Sequence, residues 1–227
     1  MSFILNIDTA TEEAHISIAR DGIILRSLIN RSQKDHGSFL QLAVQQLSKD
    51  TNIPLTKIDA IAVTAGPGSY TGLRVGMASA KGLCYALNKP LITVNTLEVL
   101  AASALYQLKG QQVKEQNLLC PMIDARRMEV FTAIYNMELV TVDVPSAMVL
   151  NENSFADHLT DNMVFFGSGS AKWKLICKHP HASFINVAIL PEAMNDLATN
   201  LFTMQQFTQI ADSQPIYLKE FHDVRKV

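Results

Sequence analysis

Apolar positions along this chain alternate between a spacing of two and a spacing near four, and the switches mark out its elements. "FILNID", residues 3–8, reads as a short strand, and "EAHISIAR" sets Ala14, Ile16 and Ile18 inward against His15, Ser17 and Ala19. Asp21-Gly22 turns the chain into "IILRSLI", so it opens as a meander of three antiparallel strands. Between Lys34 and Asp50, Phe39, Leu40, Ala43, Val44 and Leu47 fall at helical spacing, and "NIP" at 52–54 stops that helix. "IDAIAVTAG" predicts a strand entering a glycine-rich loop, and "TGLRVGMASAKGLCYAL" a helix leaving it. After a breaker at 88–90 come a short buried strand, "LITV", and an apolar helix, "TLEVLAASALYQL".

A polar connector from Gly110 to Asn117 separates this half from a second one. There "LLCPMID" and "EVFTAIYN" pair around "ARRM", "MVFFGSG" again runs a strand into glycines, and "PEAMNDLATNLFTMQQF" forms a late helix with proline near its start. Two features recur in the same order. Ile7-Asp8 aligns with Ile123-Asp124, and Gly66, Gly68 and Ser69 align with Gly167, Gly169 and Ser170. The pattern predicts an α/β fold of two β-β-β-α-β-α halves, 1–110 and 111–227, with the last helix and tail packing back on the first half. An aspartate at a strand end, duplicated with a glycine loop, is similar to the actin, hexokinase and Hsp70 architecture (the ASKHA, ribonuclease H-like fold). That likeness implies a phosphate-binding cleft between the halves.

Composition narrows the function. With 48% hydrophobic residues in 227, the chain can bury a sizeable core. Its 19 basic and 21 acidic residues nearly cancel, so no long-range field holds it on nucleic acid, and any nucleic acid it serves is expected to be held by something else. Cys84, Cys120 and Cys177 lack CxxC spacing and read as buried free thiols. The start lacks a basic signal region and no run reaches the roughly 20 apolar residues of a membrane span, so a cytoplasmic protein without a membrane partner is expected. No histidines stand at HxxxH or HExxH spacing, so no metal site is expected.

The glycine loop supports two readings. Backbone N–H groups at a helix start favour an anion, which makes Asp8, Gly66, Gly68, Ser69, Asp124, Gly167 and Gly169 a candidate residual nucleotide site, with Asp8 near a hydrated Mg²⁺. Equally, Gly66 and Gly68 allow a tight turn capped by Ser69 or Thr71, and Asp8 accepts hydrogen bonds in "DTAT". No GK[ST] follows the glycines, GxGxxG fails because Thr71 stands where glycine is required, and Pro67 breaks a GxSxG elbow. Farther along, Gly72, Gly76 and Ala80 make a smooth helix face, and Leu73, Met77 and Leu83 with Cys84 or Tyr85 give a second apolar face, the pattern of a helix buried nearly all round.

"ILNIDTATEEAHISI", "VTAGPGSYTGLRVGMASAKGLCYALNKPLITVNTLEVLA", "MIDARRMEVFTAIY" and "PIYLK" together resemble the TsaB (YeaZ) family from end to end. The resemblance implies a role in making threonylcarbamoyladenosine next to the tRNA anticodon. The related TsaD transferase carries two metal-binding histidines after "PLxxVN"; here Thr96 and Leu100 hold those places, and neither can supply an imidazole nitrogen. A non-catalytic subunit without a cofactor of its own is therefore implied, any ATP or ADP being shared with partners. It would pair with TsaD, work with the TsaE ATPase and form a homodimer when alone. The resemblance puts the dimer contacts on two helices, at Phe39, Leu40, Ala43 and Leu47, and at Gly72, Leu73, Gly76, Met77, Ala80, Lys81 and Cys84. The alternative is an ATP-dependent enzyme using Asp8 and both glycine loops.

Overall fold

The computed structural model describes residues 1–32, 35–109, 117–159 and 162–219, so most of the polar connector lies outside the described residues. The first half runs β1 (Phe3–Asp8), β2 (Ala14–Arg20), β3 (Ile23–Asn30), α1 (His36–Thr51), β4 (Ala60–Gly66), α2 (Tyr70–Leu87), β5 (Leu91–Asn95) and α3 (Thr96–Leu108). The second runs β6 (Leu118–Asp124), β7 (Glu129–Tyr135), β8 (Thr141–Val149), β9 (Met163–Phe166), α4 (Ser170–Ile176), β10 (Ala182–Phe184) and α5 (Pro191–Thr203). Helix boundaries follow local chemistry. Asn52 and Asn88 take left-handed φ values of 55° and 53° to close α1 and α2, and Asn95 Oδ1 caps α3 by accepting from the Leu97 N–H at 2.8 Å.

The two sheets are wired alike, β3-β2-β1-β4-β5 and β8-β7-β6-β9-β10, so the duplication is present in topology. In each, the first strand pairs antiparallel with the second and parallel with the fourth. Each half extends one β-α unit beyond the expected six elements. The second half departs further, because residues 151–159 form turns where α1 stands in the first. That stretch is rich in Asn, Asp and Ser, and these side chains take over the backbone groups a helix would use. The Asn153 N–H donates to Asn151 Oδ1 and the Asn151 N–H to Ser154 Oγ, each at 2.9 Å.

Three apolar cores make the layers. Leu5, Ile7, Ile16, Ile18, Ile61 and Val63 meet α1 and α2 on one outer face. Cys120, Met122, Phe165 and Trp173 fill the other, beneath α4. Between the sheets, one core joins Ile4, Ala60 and Ile92 to Leu119, Ile123 and Phe166 through α3 and α5. Because the first sheet is covered on both sides, β2 is buried on both of its faces; the one-sided alternation expected for His15 and Ser17 does not hold. Residues 206–219 then strap the first sheet. The Thr208 N–H donates to Leu91 O at 2.8 Å, the Ile216 N–H to Ala65 O at 2.7 Å, and Lys219 pairs with Glu129 of the second half.

Candidate functional site

Asp8 and Asp124 end β1 and β6, and each closes its own turn in the same way. Asp8 Oδ1 accepts from the Ala10 N–H at 3.0 Å, and Asp124 Oδ1 from the Arg126 N–H at 2.6 Å. Their surroundings differ. Asp8 is buried, takes a second hydrogen bond from Thr64 Oγ1 at 2.9 Å, and has an Oδ2 without a partner. Burial pushes its carboxyl above the ordinary range, against the Ala10 N–H, the charges of His15 and His36, and Thr64. At solvent-facing Asp124 the smaller cost of burial is outweighed by Lys172 Nζ at 2.8 Å and by the Arg126 N–H, which hold the carboxyl low.

The glycine loops sit directly on these turns. Gly66 and Gly167 take φ values of 115° and 92°, which a side chain would resist, and a Cβ on Gly68 would lie 2.2 Å from Ala10 O. One backbone donor of each expected anion seat is engaged within the chain. The Ser69 N–H donates to Ala10 O at 2.7 Å, and the Gly169 N–H to Met122 O at 2.9 Å. Ser69 also caps α2, its Oγ accepting from the Gly72 N–H at 3.3 Å.

Between the turns lies a cleft of about 770 Å³. Its charged lining is Glu12, Glu13 and Asp124 against Arg126, with buried His15 beside them. The sequence pattern sets His15 on the polar side of its strand and gives it no place in a site. It pairs across the hairpin with Asp8, its Nε2 is 3.5 Å from Glu13 Oε2, and neither ring nitrogen makes a hydrogen bond. The signal lay in hairpin register, which places His15 opposite the strand-end aspartate. The lining carries more carboxylates than cations, which sets like charge against a chain of phosphates. Thr96 is fully buried with an unpartnered Oγ1, Leu100 lines the cleft, and no metal-binding group of three His, Cys, Asp or Glu occurs among the described residues.

The two helices assigned to a partner pack side by side on the outer face of the first sheet. Leu40, Ala43, Leu47, Leu73, Met77, Ala80 and Cys84 are buried in the chain's own core. The glycine stripe also turns inward: a Cβ on Gly72 would meet Thr9 O at 2.0 Å, and one on Gly76 would meet Thr9 Oγ1 at 2.3 Å. Lys81 donates to Ala211 O and Ser213 O, at 3.2 and 2.9 Å. Of the named residues, Phe39 stays half-buried; the large apolar side chains facing out are Leu42, 66% exposed, and Tyr85, 86% exposed.

Residues 30–201 match the family described as TsaD, tRNA N6-adenosine threonylcarbamoyltransferase. The tRNA threonylcarbamoyladenosine biosynthesis protein TsaB of Escherichia coli is 27% identical over 95% of this chain and 94% of its own length. Its Bacillus subtilis namesake is 35% identical over 58% of this chain and 54% of its own. The solved structure of YeaZ from Pseudomonas aeruginosa, 24% identical, superposes with a TM-score of 0.81 over 96% of this chain and 100% of that one. The fold is accordingly the duplicated actin-like one. Among the described residues, no helix is long and apolar enough to cross a membrane.

Proposed function

We propose, from the premise that the chain belongs to the TsaB (YeaZ) branch of the TsaD family, that it is a non-catalytic scaffold and activator subunit for threonylcarbamoyladenosine formation on tRNA. The observation that carries this reading is the pair Thr96 and Leu100, one a buried hydroxyl and the other an alkyl wall, at the places where the resemblance implies metal ligands in the transferase. In the cytoplasm the chain pairs with a TsaD-like subunit and works with a TsaE-like ATPase; alone it forms a homodimer. Docking falls to the first half, 1–110, through the outer faces of α1 and α2, where Phe39, Leu42 and Tyr85 offer apolar contact among the uncharged Gln41, Gln45 and Ala78. Reconstitution tests the proposal: threonylcarbamoyl transfer by a bacterial TsaD and TsaE should depend on this chain. Transfer unchanged by its omission would sink it.

The cleft volume supports a second reading, an ATP-dependent enzyme using Asp8 and the glycine loops of both halves. Calorimetry separates the two. Weak or absent Mg-ATP binding by the isolated chain fits the carboxylate-rich lining, whereas turnover abolished in Asp8→Ala would favour the enzyme.

A further inference from the structure

The strap that follows α5 ends by joining the two lips of the cleft. Backbone bonds sew it to the first half, from Thr208 to Leu91 and from Ile216 to Ala65, and its far end, Lys219, pairs with Glu129 of the second half. Ala65 and Gly66 close β4 at the first glycine loop, and a Cβ on Gly66 would lie 2.7 Å from Ile216 O. Glu129 opens β7 on the face it shares with cleft-lining Phe131. Residues 216–219 therefore pass from one lip to the other.

A second set of contacts ties this crossing to α2. Arg74 and Lys81, two turns apart on one stripe of the helix, both reach to the strap. Lys81 Nζ donates to Ala211 O and Ser213 O, and Arg74 Nε donates to Tyr217 Oη at 3.3 Å. The Tyr217 ring packs on cleft-lining Tyr70, 5.3 Å between centroids, and the Arg74 guanidinium stands 4.3 Å over the Tyr70 ring. Tyr85, exposed on the docking face, continues the stripe one turn beyond Lys81.

The two ends of the crossing are unequal. Backbone bonds and the charged donor of Lys81 hold the first-half end. The other end is an ion pair whose lysine is 44% exposed, and such pairs add little, so it opens at small cost while the rest stays in place. We propose that residues 216–219 are a lid on one rim of the cleft, latched by Lys219 to Glu129 and held from α2 through Arg74 and Lys81. Docking on α2 shuts it. A partner seated over Tyr85 takes water from the hydrogen bonds of Lys81 and Arg74 and so strengthens them. The link from helix to lid rests on the docking proposed above; the latch itself does not.

A water-soluble carbodiimide reads the latch in the unaltered full chain, because it joins a lysine amine to a carboxyl where the two are in contact. Mass spectrometry should find two amides: Lys219–Glu129, the latch, and Lys172–Asp124, an internal reference within the second half. The double variant Arg74→Met/Lys81→Met should lower the first about tenfold relative to the second, since it loses hydrogen bonds from charged donors. Lys174→Met, at an exposed lysine of α4, should lower neither. Saturation of the parent with a bacterial TsaD should raise the latch amide. Absence of the Lys219–Glu129 amide in the parent, or a ratio untouched by the double variant, overturns the lid. TsaD binding seen by calorimetry without a rise in that amide overturns its control from α2. Absence of binding is instead a failure of the docking reading, and the comparison of isolated chains still decides the lid.

Discussion

A Cβ on Gly72 would stand 2.0 Å from a backbone carbonyl oxygen, that of Thr9, whereas one on Gly82 meets nothing within 4 Å. Both residues are inside α2, so helix propensity treats them alike and only packing separates them. Gly72→Ala should cost about 3 kcal/mol, the upper end for overpacking against atoms that cannot yield. Gly82→Ala should add about 0.5–1 kcal/mol by removing a flexible residue from a helix interior. Urea midpoints measure both, and a Gly72→Ala chain as stable as its parent would refute the close approach of α2 to the β1–β2 turn. Asp8 gives a prediction in pH. Its carboxyl is raised by burial, so the folded state holds its proton more tightly than the unfolded one. The resulting penalty is absent below the unfolded pKa near 3.8, grows as pH rises from there towards the folded value, and is constant above it. Asp8→Asn should therefore gain stability relative to the parent as pH rises through that window, by at most about 1.4 kcal/mol per pH unit. A difference that is flat or falls with pH contradicts the assignment.

On α2 the sequence shows two apolar faces, and periodicity alone cannot say which one the chain keeps for itself. The structure divides them: Met77, 3% exposed, belongs to the core beneath α1 and α2, while Tyr85, 86% exposed, faces out. Two substitutions on one helix should thus fail in different ways. Met77→Glu places an unpaired charge in the core and should cost about 3 kcal/mol or more in the isolated chain. Tyr85→Glu should leave the thermal midpoint within about 1 °C but weaken association with a TsaD-like partner at least about tenfold. Loss of folding in Tyr85→Glu, or undiminished association, would displace the docking face. The same limit explains what else the sequence hid. Strand-loop-helix passages with strong caps, such as β4 into α2, were legible because the pattern and Ser69 agree. β8 was not, because Val142 and Val144 point outward from a sheet edge and Pro145 argues against a strand, although an edge tolerates the missing N–H. The engagement of the Ser69 N–H was equally hidden, since it depends on Ala10 O meeting Ser69 across 59 positions of chain.

At the scale of the molecule, the halves repeat one another in topology yet share an interior. α3, from the first half, packs on β6 and β7; α5, from the second, packs on β1, β2, β3 and β5. Neither sheet has a complete inner face without a helix from the other side of the connector. Polar contacts lock this exchange. Buried Asn195 of α5 donates to Gly22 O at 2.7 Å and accepts from Asn6 Nδ2 at 3.2 Å, joining the last helix to β1 and to the β2–β3 turn. A shared core of this kind should unfold as one unit despite the duplicated wiring. Trp173 reports the outer core of the second half, and far-UV circular dichroism reports both halves, so their urea transitions should coincide. Asn195→Leu leaves Gly22 O and the Asn6 amide without their partner and should cost about 2 kcal/mol. Because the joint is common property, that loss should move the Trp173 transition by as much as the dichroism, although Trp173 belongs to the outer core under α4 and Asn195 to the helix on the first sheet. Separate transitions, or a shift confined to one probe, would mean that each half folds on its own and that the exchanged helices dock afterwards.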